Sequence, residues 1–508
     1  MVFCRSRSAA ALARSSLHSL ASQNVVVRSA RPFDSIPAPR MLPGVGSLFD
    51  YVLGKGHWFR KMHEVQADRC ERLGRIYREN FAGRPAVFVA DPDAVEKLFK
   101  AEMSSPRKPP MLAWIESRAD LGLGAGLLSP DRDEWKRFRS PMTKNSLNSK
   151  KMRGAFTEGI NDIATDFADF VATLRNADTH VVSDVFTEGV KFSLEVMGLF
   201  VYGKRLDCME ATVQPEYQDF LDSVRKILEN YNALRLSYGL HKKFKTSTWR
   251  ANQEGWNGSV KFNEKLVAEC ESRLRGQLPA AGGRPYYATC LMEQMFSDGL
   301  LSRREAVLNA MDMFVAGIYA VGSAFSGLLY HVASDSSLQD RLYNESVSVL
   351  GSGQNVKASA DELQRMALHK NAIKEGLRLS SVYPVNFRVL DNDIDLLDYN
   401  IPANTPIGVC YYWMNESAEF YDQPQKFNPD RWSKESNFDF PHPFTNLPFG
   451  HGMRMCPARR LVELELQVAL HQICRRFRLE NATNEPIKKN LDAVLVPDRP
   501  MSIRFMDR

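Results

Sequence analysis

The sequence predicts a mainly α-helical protein with a smaller β region, organised as one large domain. Three observations point that way. Stretches at 154–175, 186–202, 217–236 and 260–275 repeat apolar residues at helical spacing, whereas clear strand alternation is confined to Arg84–Ala90. No linker, internal repeat or low-complexity tract interrupts the 508-residue chain after its first forty residues. Met313 to Ser334 holds no Asp, Glu, Lys or Arg, yet Gly317, Gly322, Ser323, Ser326, Gly327 and His331 dilute it. That composition fits a helix running through a globular core better than a membrane span.

The N-terminus reads as an address. Residues 1–33 carry Arg5, Arg7, Arg14, Arg28 and Arg31 with many Ser and Ala, and no acid precedes Asp34. This pattern is that of an organellar transit peptide, so segment 1–36 is assigned to the leader and 37–508 to the catalytic domain. The run Ser15–Val27 is too short and too polar for a secretory signal or an N-terminal anchor. Removing five arginines takes the formal charge of +6 to about +1, so no nucleic-acid-seeking surface is implied. The eight cysteines (4, 70, 208, 270, 290, 410, 456, 474) have no CxxC spacing, which argues against a disulfide framework and a structural zinc site.

Taken in order, Ile36–Gly44 is a Pro-rich extended lead-in, and Arg84–Ala90 is a strand. In 131–142, Trp135 and Arg139 stand four apart and on a helix offer an indole N–H and a guanidinium to one anion. A solvated basic face explains that spacing as well. Tyr238–Trp249 mixes basic and aromatic residues as interfacial segments do, and as ordinary exposed loops also do. Glu375 and Arg378 pair at i, i+3, with Arg431 of the Phe427–Trp432 segment as a third partner, and Lys370 and Lys374 form a compact positive patch. Each of these alone is also an ordinary surface pair.

Near the C-terminus stands Phe449-Gly-His-Gly-Met-Arg-Met-Cys456-Pro-Ala. Glycines let the backbone approach a flat ligand and turn N–H groups toward the sulfur, and the helix that follows favours thiolate over thiol. Phe449 can shield the sulfur from water, and Arg454 can pair with a carboxylate. An inert buried Cys is the bland alternative.

Together these segments resemble the cytochrome P-450 superfamily of haem-thiolate monooxygenases from about Pro37 onward. The resemblance implies the cytochrome P-450 fold, a helical domain around a buried haem b, with Cys456 as axial iron ligand. It implies Trp135, Arg139, Arg388, Phe449, Arg454, Ala316 and Gly317 as cofactor-binding residues, and Glu375, Arg378 and Arg431 as the structural triad. It further implies Phe314, Val382 and Val385 as substrate wall. The Lys370-xxx-Lys374-Glu375 helix and Arg459-Arg460-Leu-Val-Glu-Leu-Glu-Leu-Gln467 resemble the animal mitochondrial branch. In that branch Lys370, Lys374, Arg459 and Arg460 would dock an adrenodoxin-like ferredoxin, itself served by a ferredoxin reductase.

One departure matters. Where the family's central helix has AGxDT, this chain reads Ala316-Gly317-Ile318-Tyr319-Ala320, so the acid is Tyr319 and the Thr is Ala320. Proton delivery would then fall to substrate and water, or to Tyr319 or Ser323. A second departure, Ala458 where Gly is frequent, is small. The reading is a monooxygenase that uses dioxygen as co-substrate on a lipophilic, sterol-like compound, an ecdysteroid among the candidates. The place implied is the matrix side of the mitochondrial inner membrane, with peripheral contact. The alternatives are a haem-thiolate isomerase or dehydratase that needs neither dioxygen nor electrons, a xenobiotic-oxidising relative, and a non-catalytic carrier.

Overall fold

Helix dominates where the apolar spacing places it. The computed structural model describes residues 30–508 apart from 53–58, 103–105, 145–149, 211–212, 277–289, 436–440 and 484, so most of the expected leader lies outside the described residues. The four expected helices appear as Lys150–Leu174, Val185–Tyr202, Pro215–Lys243 and Ser247–Leu274. The last begins thirteen residues earlier than its apolar pattern. Gly255 and Gly258 dilute the pattern there because the helix lies hard against its neighbour: a Cβ on Gly255 would stand 2.6 Å from the Ser223 carbonyl oxygen. Tyr238–Trp249 is therefore a helix end and a helix start, kinked at Ser237, with the Thr246 hydroxyl capping the N–H of Trp249.

The central helix, Arg303–Ala333, starts at a capping box in which Ser302 and Glu305 satisfy each other's backbone N–H. It is long and apolar enough to cross a membrane, but most of its apolar stretch is buried inside the protein. Its small residues explain how. A Cβ on Gly322 would meet Val190 Cγ2 at 2.5 Å and Val190 backbone at 3.1 Å, and one on Gly327 would overlap Ser380 Oγ. The glycines let Val185–Tyr202 and the Ser380 segment touch the helix backbone. Asp312 fixes a further neighbour. Its carboxylate is ion-paired with the buried Arg118 and accepts the Leu127 N–H at 2.9 Å, while burial raises its pKa.

The β region sits to one side. A four-stranded sheet runs Ile76–Phe81, Arg84–Val89, Pro406–Val409, Asn386–Val389, with only the Arg84–Val89 and Pro406–Val409 pair parallel. It has its own apolar core, centred on Tyr77, Val87, Phe88, Val89 and Val409. A three-stranded sheet joins Val181–Val182, Ile503–Asp507 and Phe477–Asn481, and the hairpin Lys489–Asp492 with Val494–Pro497 reaches the central helix.

Gly322→Ala should cost about 1–3 kcal/mol, the usual penalty for overpacking. Urea unfolding measures it, and a variant as stable as the parent would show that the two helices can separate without loss.

Candidate active site

The Glu375 helix, Ala367–Leu379, and the short 3₁₀ turn Pro429–Trp432 bring together the expected triad. Arg378 donates Nη2 to Glu375 Oε1 at 2.7 Å and Nε to Oε2 at 3.0 Å, a two-pronged pair with both side chains fully buried. Arg431 Nε lies 3.4 Å from the same carboxylate, which also accepts Trp432 Nε1 at 2.9 Å and the Asn428 N–H at 3.1 Å. The remaining donors of Arg378 reach the carbonyls of Asn415, Pro424 and Lys426.

Downstream lies the Cys456 loop. Gly450 and Gly452 sit at φ of 71° and 72°, the left-handed region that residues with a Cβ avoid. The turn closes with the Cys456 N–H donating to the Phe449 carbonyl at 2.8 Å. Burial raises the thiol's pKa, opposed by the backbone N–H groups of Ala458 and Arg459 and by the charges of Arg139 and Lys108. Those two N–H groups follow the cysteine, whereas the expected ones belong to the glycine bend before it. Phe449 is half-buried on the core beside the Arg459 guanidinium.

Cations gather beside this loop. Arg139, on the helix Arg132–Lys144, donates to the Met455 carbonyl, and the Arg454 guanidinium covers the Trp135 ring at 4.1 Å. Arg388 is fully buried, bonded to Asn386 Oδ1 and the His451 carbonyl and ion-paired with Glu102. Desolvation pushes Arg388 and Arg454 down to about 10, with Arg388 and Arg139 repelling Arg454 further. It also lowers Arg139, and it brings Lys108 to about 8, helped by Arg454 and Arg139. Lys108 lies within reach of the charges of Arg454, Arg139 and Cys456. Arg139 Nε is buried with no hydrogen-bond acceptor. Four crowded cations, an orphaned N–H and a sulfur fit haem b, whose two propionates supply the missing negative charge and whose iron takes the thiolate. Lys108 and Glu102 are absent from the sequence reading, since neither belongs to a spaced motif.

Along the central helix, Ala316 is exposed, and Gly317, Tyr319 and Ala320 are partly so, an accessible patch on a buried helix. Phe314 corrects an expectation. It has no exposed surface and packs against Tyr202, Phe220 and Phe262 at ring separations of 5.7, 5.8 and 6.2 Å, so it belongs to the core and not to a cavity wall. The reason is helical phase: Phe314 points about 160° away from Ala316 at 100° per residue. Val382 and Val385 are half-buried after the Glu375 helix. Ser323 is buried and donates its hydroxyl to the Leu495 carbonyl at 2.6 Å; the Tyr319 hydroxyl lies 3.4 Å from the Leu221 carbonyl. Lys370, Lys374, Arg459 and Arg460 are all exposed, with Arg459 paired to Glu463 at 2.9 Å.

A half-buried sulfur beside a group of desolvated cations suits a haem-thiolate enzyme. Comparison with known proteins gives the same class: the profile of the family described as Cytochrome P450 matches residues 36–505, and the chain belongs to that family. The chain is 32% identical to "25-hydroxyvitamin D-1 alpha hydroxylase, mitochondrial" of Rattus norvegicus, over 94% of this chain and 95% of that protein. It is 27% identical to "Sterol 26-hydroxylase, mitochondrial" of Homo sapiens, over 92% and 88%. With "1,25-dihydroxyvitamin D(3) 24-hydroxylase, mitochondrial" of Mus musculus it shares 26%, over 94% and 90%. The protein is a haem-thiolate monooxygenase.

Glu375→Ala removes the buried carboxylate that Arg378 and Arg431 share, which should cost about 3–5 kcal/mol. Denaturant unfolding and the haem content of the purified protein read the loss; undiminished values would show that the carbonyls around Arg378 hold the segment unaided.

Proposed function

We propose that this chain hydroxylates a sterol-like lipophilic substrate in the mitochondrion, using dioxygen and electrons delivered singly by a ferredoxin. The observation that carries this reading is its similarity, along more than nine-tenths of its length, to hydroxylases of sterols and vitamin D derivatives whose names place them in mitochondria. Haem b bound through Cys456 supplies the site where dioxygen is reduced. Arg139, Arg388, Arg454 and Lys108 hold its propionates, and the Phe449 loop keeps the sulfur oriented and away from water. Ala316 and Ala320 are small and accessible and would leave room for dioxygen and substrate, and Val382 and Val385 would offer an apolar wall. The balanced reaction takes RH, O₂, two electrons and two protons to ROH and water.

Lys370 and Lys374 on one helix face, with Arg459 and Arg460 on another element, suit a weak and salt-sensitive contact with an acidic ferredoxin. Leu240 and Phe244 are 63% and 69% exposed beside Lys242 and Lys243, an arrangement suited to peripheral contact with a membrane from which a greasy substrate enters. The matrix face of the inner membrane is the place where all three partners meet. Ecdysteroids fall within the substrate class. An isomerase would have no use for electrons or for the lysine patch.

The ferrous carbon monoxide complex should show the thiolate Soret band, and Cys456→Ser should abolish it. A sterol panel including vitamin D and ecdysteroid members should be hydroxylated only when ferredoxin, its reductase and dioxygen are supplied. Product formed without an electron donor would overturn the monooxygenase reading in favour of an isomerase. Lys374→Glu should weaken ferredoxin coupling strongly at low salt and little at high salt, leaving the spectrum intact; coupling that does not change would leave those lysines as a solvated face.

A further inference from the structure

Outside the haem site, the end of one helix and the start of the next bring together three groups of the kind that bind metals. Cys270 stands near the end of the helix Ser247–Leu274, and Cys290 is the N-cap residue of the helix Leu291–Asp298, whose first turn holds Glu293. Both cysteines are free thiols with no exposed surface, and Glu293 is half-buried. One ligand atom from each, two sulfurs and a carboxylate oxygen, lie within 4.8 Å of one another. The Glu293 carboxylate forms no hydrogen bond or ion pair among the described residues. It stands beside two sulfurs, which cannot balance its charge. Arg273, one turn beyond Cys270 on the same helix, bonds the Tyr202 carbonyl. Spacing hides this group in the sequence, because a search for CxxC finds neither the Cys290-x-x-Glu293 turn nor a partner that reaches it through tertiary packing.

We propose that Cys270, Cys290 and Glu293 hold a zinc ion, with water as its fourth ligand. Two thiolates and a carboxylate are ligands that Zn²⁺ accepts in tetrahedral geometry. At the bond lengths of such a site the ligand atoms lie about 3.3–3.8 Å apart, so side-chain rotations that draw them in by about 1.5 Å or less complete it. Binding breaks two S–H bonds, forms two Zn–S bonds and one Zn–O bond, and releases two protons; no electron moves. The charges close, with two thiolates and a carboxylate set against Zn²⁺ and Arg273. The ion would clip the two helices together, and the second of them supports the fold further in. Its Met295 sulfur lies 3.8 Å from Asn309 Nδ2 of the central helix, which donates to the Phe138 carbonyl at 3.0 Å. Phe138 belongs to the helix that carries Trp135 and Arg139.

Tag-free holoenzyme, incubated with zinc sulfate and passed through a column in a weak chelator, should carry one zinc per haem iron by elemental analysis. Cys270→Ser should lose the zinc while keeping the haem and its thiolate Soret band, and Glu293→Gln should weaken zinc affinity ~10²-fold, the upper end for a disturbed ligand set. His442→Ala, which takes one ligand from the exposed Asp93, Glu96 and His442 group, should leave the ratio unchanged. The unfolding temperature should rise with zinc concentration in the parent and not in Cys270→Ser. A parent without zinc, a Cys270→Ser that keeps it, or a ratio that falls only in His442→Ala, meaning an adventitious ion only, overturns the proposal. So does a mass two hydrogens short across Cys270 and Cys290 in the zinc-treated protein, which would make the pair a disulfide. Where Cys270→Ser does not fold, Glu293→Gln decides, and an unaltered affinity sinks the site. Every readout is of metal or stability, so the outcome is separate from that of the monooxygenase reading.

Discussion

The fold around the site depends on one buried carboxylate. Glu375 accepts from Arg378, Arg431, Trp432 and the Asn428 backbone, which saturates the roughly four lone-pair positions a carboxylate offers. Arg378 spends its other donors on backbone carbonyls between Asn415 and Lys426, a stretch with little regular structure of its own. A buried ion pair is seldom a net source of stability, because desolvation consumes most of its Coulomb gain. Its effect here is positional. The irregular chain from 415 to 432 is held in one arrangement against the Glu375 helix, and that chain delivers the Cys456 loop to its place.

At the loop the electrostatics run the other way. Glu375 is matched by its partners, whereas Arg139, Arg388, Arg454 and Lys108 have Glu102 and the sulfur as their only anionic company among the described residues. Their lowered pKa values register desolvation and mutual repulsion. A dianionic ligand that binds only the folded state relieves both, so its binding adds directly to stability by mass action. The domain is therefore completed by its cofactor in energetic terms as well as chemical ones.

Much of this was legible in the sequence, for reasons that differ by residue. Glu375 with Arg378, Trp135 with Arg139, and the Phe449–Cys456 loop are each fixed by short spacings on a single element, which sequence reading handles well. The central helix was legible from the absence of charge between Met313 and Ser334. Lys108 and Glu102 were not, because each reaches the site through tertiary packing and carries no local pattern. Phe314 was assigned to the substrate wall by family position, and helical phase placed it in the core against Tyr202 and Phe220. The helix at Ser247 began early because Gly255 and Gly258 serve close packing, a role that hides apolar periodicity.

The altered central helix has a local electrostatic reason. The Tyr319 side chain is desolvated and lies within the field of Glu229, Asp222 and Asp492, with Arg225 as the opposing charge. Glu229 and Asp492 themselves have raised pKa values, through burial first, and Asp492 adds its repulsion to Glu229. An acid at 319 would add a fourth carboxylate to three that share two arginines, Arg225 and Arg60. It would be forced toward its neutral form or push the helix Pro215–Lys243 outward. A phenol tolerates the same surroundings at no charge cost. A carboxylate at 319 is thus disfavoured by its neighbours in a way that a phenol is not.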